Sequence, residues 1–280
     1  MQRHGVLAYG LLSYLMALLA LIYLFMFTGN FGIATGIDSP ARMHWIPAVV
    51  IDLCLLLLFA LQHSLMARKP VKAFLVRFVS PTLERSSYVL LSSGVFILMF
   101  AGWQPIDAVV WSVESNAARG ILYGMFVFGW LTVLIAISLT NHFDLFGIRQ
   151  VWSHFRTQRY RRLAFTTRWL YRYVRHPLYL GWLFAFWSAP VMTAGHLLFA
   201  AFLSAYIIVA IPWEEKDLVA EFGKRYTEYR ERVPKLIPSV PFHPRDEAYV
   251  LDRTGRYAEP EALKARDEML GRGTGNGVDS

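Results

Sequence analysis

The sequence predicts an all-α protein: a polytopic integral membrane helical bundle of five to six spans, ending in a helical hairpin and an amphipathic surface helix. Three observations carry that expectation. Of the 280 residues, 55% are hydrophobic and only 17% charged, against about 25% charged in water-soluble domains. Several apolar runs approach the length of about 20 residues that crosses a hydrocarbon layer roughly 30 Å thick. Lys and Arg concentrate between alternate runs, as they do where such connections stay on the cytoplasmic side.

The runs cover residues 5–28, 46–66, 87–103, 120–140, 178–192 and 195–213. The first has a basic start, but its apolar stretch exceeds a signal core and no small-residue cleavage pattern follows it. It reads as a retained span. The fifth is short, contains Pro190 and is followed at once by "MTAGH", so it pairs with the sixth as one hairpin. The 67–86 connection carries Arg68, Lys69, Lys72, Arg77 and Arg85, and the 141–177 connection carries eight arginines. The 29–45 and 104–119 connections carry only Arg42 and Arg119. This asymmetry puts both termini and the two basic connections in the cytoplasm.

After residue 213 the pattern turns amphipathic. Leu218, Phe222 and Tyr226 recur at helical spacing on a charged background, which predicts a surface helix ended by Pro234 and Pro238. Residues 1–238 thus form one membrane domain. Residues 239–280 are expected to be a polar, loosely ordered cytoplasmic tail with little to bury. The net charge of +8 follows from charge placement between spans, which argues against a nucleic-acid partner and for the lipid bilayer. The single cysteine, Cys54, excludes an internal disulfide framework and a cysteine-rich zinc site. The eight histidines are scattered, so no metal set is expected, and no feature specifies an oligomeric state.

The most informative stretch is "YRYVRHPLYLGW" at 171–182. Pro177 suits the first position of a helix, where its missing N–H costs nothing, and His176 before it should be extended. The positive end of that helix then faces the cytoplasmic interface and favours an anion. Arg175 adds a planar fork suited to a carboxylate. Tyr179 lies beside this end, and Tyr171 lies one turn before Arg175 if the approach is helical. The ordinary alternative is an interfacial anchor of arginine and tyrosine. "PWEEKDL" at 212–218 brings Glu214 and Glu215 back to the same side. Two acids at a C-terminal helix end are unfavourable without a cation, which a ligand or Arg175 would supply. An anion site, aromatic rings and a carboxylate together suit a zwitterionic amino-acid group joined to an adenine, as in S-adenosyl-L-methionine. Amino acids and lipid headgroups fit the same inventory.

"RHPLYLGW" followed by "EEKDLVAEFGKRYTEYRERVPKLIP" resembles the C-terminal signature of isoprenylcysteine carboxyl methyltransferases and related membrane methyltransferases, over about residues 170–238. The resemblance implies S-adenosyl-L-methionine held by Tyr171, His176, Pro177, Leu178, Tyr179 and Glu214. Ala210 stands where the prenylcysteine enzymes carry a substrate-binding arginine, which argues against a prenylcysteine carboxylate acceptor.

Three polar stretches fall on the same side: "FALQHSLMARKP" with Gln62, His63 and Ser64, "PTLERSSYVLLSS" with Glu84, Arg85 and Ser86, and "LTNHFDLFGIRQVW" with Asn141, His142 and Asp144. Polar residues at membrane depth are costly and tend to be functional, though a hydrogen-bonded network locking the bundle would account for each singly. Together with the RHP stretch they resemble the bacterial methanethiol S-methyltransferases of the NnrU-like group, over roughly residues 45–238. That resemblance implies methylation of methanethiol, a small thiol, to dimethyl sulfide. A thiol is mostly protonated near neutrality, so a general base is expected: His142 oriented by Asp144, with His63 second. The His142–Asp144 pairing requires the fourth run's helix to end near Asn141. Asn141, Trp182 and Trp187, with Phe186, are the expected acceptor-binding residues. Alternatives are another thiol or lipid acceptor, a non-catalytic scaffold, and an NnrU-like haem-binding isomerase or redox protein in which His63 is an axial ligand.

Overall fold

A computed structural model describes residues 2–161, 163, 165, 167–238, 250–251 and 257–258. Five helices are long and apolar enough to cross a membrane: α1 (Arg3–Gly29), α2 (Trp45–Ala67), α4 (Glu84–Gly102), α5 (Asn116–Leu139) and α9 (Ala194–Phe222). Between them lie α3 (Lys69–Leu75), α6 (His142–Leu145), α7 (Ile148–Phe155) and α8 (Pro177–Trp187), and α10 (Lys224–Arg232) follows. The only regular strands among the described residues are two short pairs, β1 (Val109–Ser112) with β2 (Val191–Thr193), and β3 (Val250–Leu251) with β4 (Tyr257–Ala258). The chain is therefore a polytopic helical membrane protein, as composition predicts. The 239–280 tail otherwise lies outside the described residues.

Side-chain pattern explains the packing. The buried positions of α1 include Val6, Gly10, Ser13, Ala17, Ala20, Leu24 and Phe27, spaced alternately four and three apart. That is one helix seam, rich in small residues, which lets neighbouring backbones approach closely where lipid supplies no hydrophobic drive between helices. The seam packs on α4 and α7. Leu11, Leu15, Leu19 and Ile22 on the opposite face are exposed, which suits lipid rather than water. The aromatic centre of the bundle joins Phe27, Phe100, Trp103, Phe186 and Phe199.

Two sequence expectations change. The fifth run is not a helix over 178–192. It is α8, about 16 Å long at 1.5 Å per residue, followed by an extended segment. Val191–Thr193 pairs with Val109–Ser112 in the connection between α4 and α5, and the Val113 N–H bonds the Pro190 carbonyl at 2.9 Å. The run therefore reaches the end of the bundle opposite the basic connections, as helix to Trp187 and as strand from Val191. The expected surface helix is also not separate from the sixth run. Helix α9 continues through Pro212 to Phe222, and the break comes at Gly223, whose φ of +59° suits a residue without a Cβ.

The end opposite the basic connections is latched by Asp38. Its carboxylate accepts from Thr193 Oγ1 at 2.6 Å, Asn30 Nδ2 at 2.6 Å and His196 Nδ1 at 3.0 Å. Burial alone would raise its pKa, but these hydrogen bonds and the charge of His196 outweigh burial and hold it below the ordinary aspartate value. The second nitrogen of His196 faces the Phe186 carbonyl at 3.1 Å, so one imidazole ties α9 to α8 and to the 30–44 connection.

Helix α8 packs chiefly on α5, and two glycines set the approach. A Cβ on Gly181 would lie 2.7 Å from the Gly129 carbonyl oxygen, and one on Gly129 would lie 2.7 Å from the Gly181 carbonyl oxygen. Gly181→Ala is expected to push the helices apart and destabilise the fold by about 1–3 kcal/mol. A lowered thermal midpoint in detergent, with loss of ligand binding in parallel, is the expected readout.

Candidate functional site

The first turn of α8 starts at Pro177, and no side chain caps its N-terminus. The approach is not a continuous helix: Trp169–Arg172 form one 3₁₀ turn, and His176, expected to be extended, takes φ −123° and ψ 62°, outside both the helical and the extended regions. The Arg175 and His176 N–H groups then bond the carbonyls of Pro234 and Lys235 at 2.9 and 3.2 Å. The RHP segment and the VPKLIP segment are thereby laid side by side.

The arginine, expected at a ligand carboxylate, is turned onto the protein itself. Arg175 is buried, with Nη2 2.8 Å and Nε 2.9 Å from Glu215 Oε1. Its Nη1 donates to the carbonyls of Arg230 and Val233. The fork is fully engaged within the protein. His176 Nε2 also meets Glu215 Oε1, at 3.1 Å. Glu215 is therefore a buried acid that meets both residues of the RHP turn. The Tyr229 hydroxyl completes the clamp by donating to the Tyr171 carbonyl at 2.6 Å. Burial raises the pKa of Tyr226 and Tyr229, so both remain neutral phenols in this layer.

Glu214 is different. About a helical turn's third away in phase, its side chain is 45% exposed. The Tyr179 hydroxyl donates to its Oε2 at 2.7 Å, and His176 Nδ1 lies 3.8 Å from the same oxygen. Its charge reaches the phenols of Tyr171, Tyr88 and Tyr206 as well. Tyr171 is pushed above the ordinary tyrosine pKa by burial first and by Glu214 second. The Tyr206 hydroxyl pairs with Ser64 Oγ at 2.9 Å, which brings α2 to the same place. One partly open carboxylate thus sits among several phenol rings beside the uncapped start of α8. A carboxylate with aromatic walls suits a ligand cation, and free N–H groups at a helix start suit a ligand anion.

The three polar stretches do converge at this end of the bundle. Helix α5 ends at Leu139, and Asn141 takes φ +69°. Its side-chain oxygen accepts the Asp144 N–H at 3.2 Å, so Asn141 serves the turn rather than an acceptor. The expected His142–Asp144 pair is absent. Asp144 is taken by Arg149 at 3.0 Å and by the Tyr160 hydroxyl at 2.9 Å. His142 Nε2 instead meets the Tyr14 hydroxyl at 2.6 Å. Burial holds the pKa of His142 below the ordinary histidine value, so it is a neutral base near pH 7. His63 is packed against Phe59, and the Tyr88 hydroxyl lies 2.8 and 3.0 Å from its two nitrogens. That enclosure gives an axial haem ligand no support. Arg85 is not solvated: its Nε donates to the Leu145 carbonyl at 2.7 Å and its guanidinium lies 5.1 Å from the Tyr88 ring centre.

The two histidine–tyrosine pairs border one apolar cluster of Tyr88, Val133, Ile137 and Phe146, against which Tyr14, Met66, Leu178 and Trp182 pack. Trp182 thus reaches the region expected of it. Trp187 does not: it lies at the far end of α8, partly exposed, with its Nε1 on Ser204. Phe186 stacks on Trp182 within the bundle centre. Tyr14, Tyr88 and Tyr206 were not legible as site residues, because a lone tyrosine in an apolar run carries no spacing signal.

Comparison with known proteins gives consistent relatives. The chain is 45% identical over 240 residues to "Methanethiol S-methyltransferase" of Crocosphaera subtropica, covering 86% of this chain and 94% of that protein. It is 44% identical over 238 residues to the protein of the same name from Mycobacterium tuberculosis, covering 85% and 98%. A more distant likeness is to Nurim of Sus scrofa, 28% identical over 211 residues. No protein-family model matches the chain, and no solved structure matches it.

The geometry separates the two acids by experiment. Glu215→Gln leaves Arg175 buried without its counter-charge and is expected to cost about 3–5 kcal/mol of stability. Arg175→Lys keeps the charge but loses the fork and should also destabilise. Thermal unfolding in detergent checks both, and each variant is expected to lower the midpoint.

Proposed function

Because the chain belongs to the methanethiol S-methyltransferase family, we propose that it methylates methanethiol to dimethyl sulfide with S-adenosyl-L-methionine as donor. The observation that carries the donor assignment is the pairing of Glu214 with phenols at the start of α8. When bound, S-adenosyl-L-methionine supplies an electrophilic methyl group on a positively charged sulfur. The site residues fit it in chemical kind. Glu214 holds an ammonium, with Tyr179 fixing the carboxylate. The first-turn N–H groups of Leu178 and Tyr179, freed by Pro177 and the absence of a cap, receive a carboxylate. Tyr171 and Tyr206 wall the cation. Arg175 and Glu215 hold this arrangement from behind and do not touch the donor.

The acceptor occupies the apolar cluster beside Trp182, Leu178 and Phe146. A small alkyl thiol has only a methyl group to bury, worth about 0.8 kcal/mol, so orientation must contribute most of the catalysis. Good alignment of two reactants is worth up to about 7–11 kcal/mol. His142 provides the base, being neutral and hydrogen-bonded at Nε2. The basic connections and both termini face the cytoplasm on this reading, where the donor is dissolved, and the membrane is the bacterial inner one.

Purified protein given methanethiol and S-adenosyl-L-methionine is expected to release dimethyl sulfide, detected in the headspace. Silence with methanethiol but turnover of another thiol would move the acceptor and keep the donor. Glu214→Gln is expected to weaken donor binding about 10–100-fold, the scale of a lost charged hydrogen bond, with no change in thermal midpoint. His142→Ala is expected to keep donor affinity by calorimetry while methylation falls about 10²–10⁴-fold.

A further inference from the structure

We propose that Tyr14 is the residue that receives the acceptor's proton, passing its own hydroxyl proton on to His142. This rests on the thiol methylation above and deepens it by naming the group that touches the thiol. Tyr14 lies in α1, far in sequence from every motif. Its ring packs against the apolar cluster, edge-on to Phe146 at 5.8 Å, and its hydroxyl meets His142 Nε2 at 2.6 Å. A phenol donates to the lone pair of a neutral imidazole. The Nε2 lone pair is then already occupied, and the other proton of the ring sits on Nδ1. What the cluster offers a thiol is the Tyr14 oxygen, whose own lone pairs can accept.

The step balances. The thiol S–H bond breaks, and its electron pair stays on sulfur to form the new S–C bond. The proton moves to the Tyr14 oxygen as the Tyr14 proton moves to His142 Nε2. The donor sulfur keeps the electron pair of the C–S bond it loses. His142, half-buried, then passes the surplus proton to solvent at the polar end of the bundle, and proton exchange at the ring restores the starting tautomer, bare at Nε2, before the next turnover.

The groups around this pair fit the assignment. On the 142–145 turn itself, Asp144 is turned away to Arg149 and Tyr160. From α4, Arg85 is fixed on the Leu145 carbonyl and over the Tyr88 ring, while His63 of α2 pairs with Tyr88. None of these groups takes the Nε2 position that Tyr14 fills.

Tyr14→Phe in the full-length protein tests the relay. Donor affinity by calorimetry is expected to stay within about threefold. Methylation at neutral pH is expected to fall about 10²–10⁴-fold, then to rise about tenfold per pH unit as solution supplies the thiolate directly. Wild-type protein should lack that slope. A second readout needs no turnover. In histidine-labelled protein without ligands, the His142 NMR signal, identified by its loss in His142→Gln, should titrate at higher pH in Tyr14→Phe. The phenol favours the neutral ring, and its removal favours the charged one. His142→Gln itself should show the same rising pH dependence as Tyr14→Phe. Wild-type rate and pH profile in Tyr14→Phe, or an unmoved His142 titration, would overturn the relay. Wild-type protein that makes no methylated thiol would remove the underlying reading instead, while the titration still reports on the pair.

Discussion

The buried contact between Arg175 and Glu215 is the constraint on which the inner end of this protein depends. Every hydrogen bond of the guanidinium described here goes to the chain itself: to Glu215 and to the carbonyls of Arg230 and Val233. These partners come from two segments, α9 and the last turn and exit of α10, and the guanidinium ties both to the turn before α8. A buried ion pair adds little net stability, because desolvation offsets most of its attraction. Its consequence here is registry. Only one arrangement satisfies the fork, and that arrangement sets where α8 begins and therefore where Tyr179 and the first-turn N–H groups point. The His176 contact to the same carboxylate oxygen extends the registry by one residue.

That constraint also explains why two adjacent acids divide their labour. Consecutive residues on a helix differ by about 100° in direction, since a turn holds about 3.6 residues. Glu215 points into the protein and is neutralised there. Glu214 points to the side, with a phenol as its shortest contact and a distant imidazole. Glu215 is neutralised by Arg175 while Glu214 has only a phenol and a distant imidazole, so the outward acid keeps an unspent preference for a cation. The opposite end of the bundle follows similar logic with different residues: Asp38 and His196 join three segments around one buried carboxylate. Between these two latches, α8 stays short because the chain must become extended to pair with β1.

How much of this was legible in the sequence follows from which interactions are local. Apolar run length for the five long helices and the proline at the start of α8 are local, and each was placed correctly. The end of α5 at Asn141 was also legible, because a turn residue interrupts the run there. The fifth run was misread because hydropathy does not distinguish a short buried helix from a buried strand, and only the distant partner Val109–Ser112 decides. Arg175 was assigned to a ligand because the sequence cannot say that the carbonyls after residue 229 fold back over it. The His142–Asp144 pairing failed for a similar reason: Arg149 and Tyr160 compete for the carboxylate, and both lie beyond the turn. Tyr14 was invisible, since one hydroxyl in a run of leucine and alanine has no periodicity to mark it.

On the proposed function, the position of the chemistry at one end of the bundle follows from the three species that a thiol methylation by a sulfonium donor would have to handle. A zwitterionic sulfonium donor needs water and counter-charges, which only the end carrying Glu214 and the arginine-rich connections provides. A small thiol and its thioether product are neutral and apolar, and they partition into the bundle or the bilayer without a built channel. The proton released in the reaction belongs with neither, and a site sealed among Val133, Ile137 and Phe146 cannot hold it as charge. A half-buried imidazole reached through a phenol solves this, because charge appears only where the ring meets the polar end. A base deeper in the bundle, such as His63 enclosed by Phe59 and Tyr88, would have to carry a cation in apolar surroundings after each turnover. That cost favours the shallower histidine.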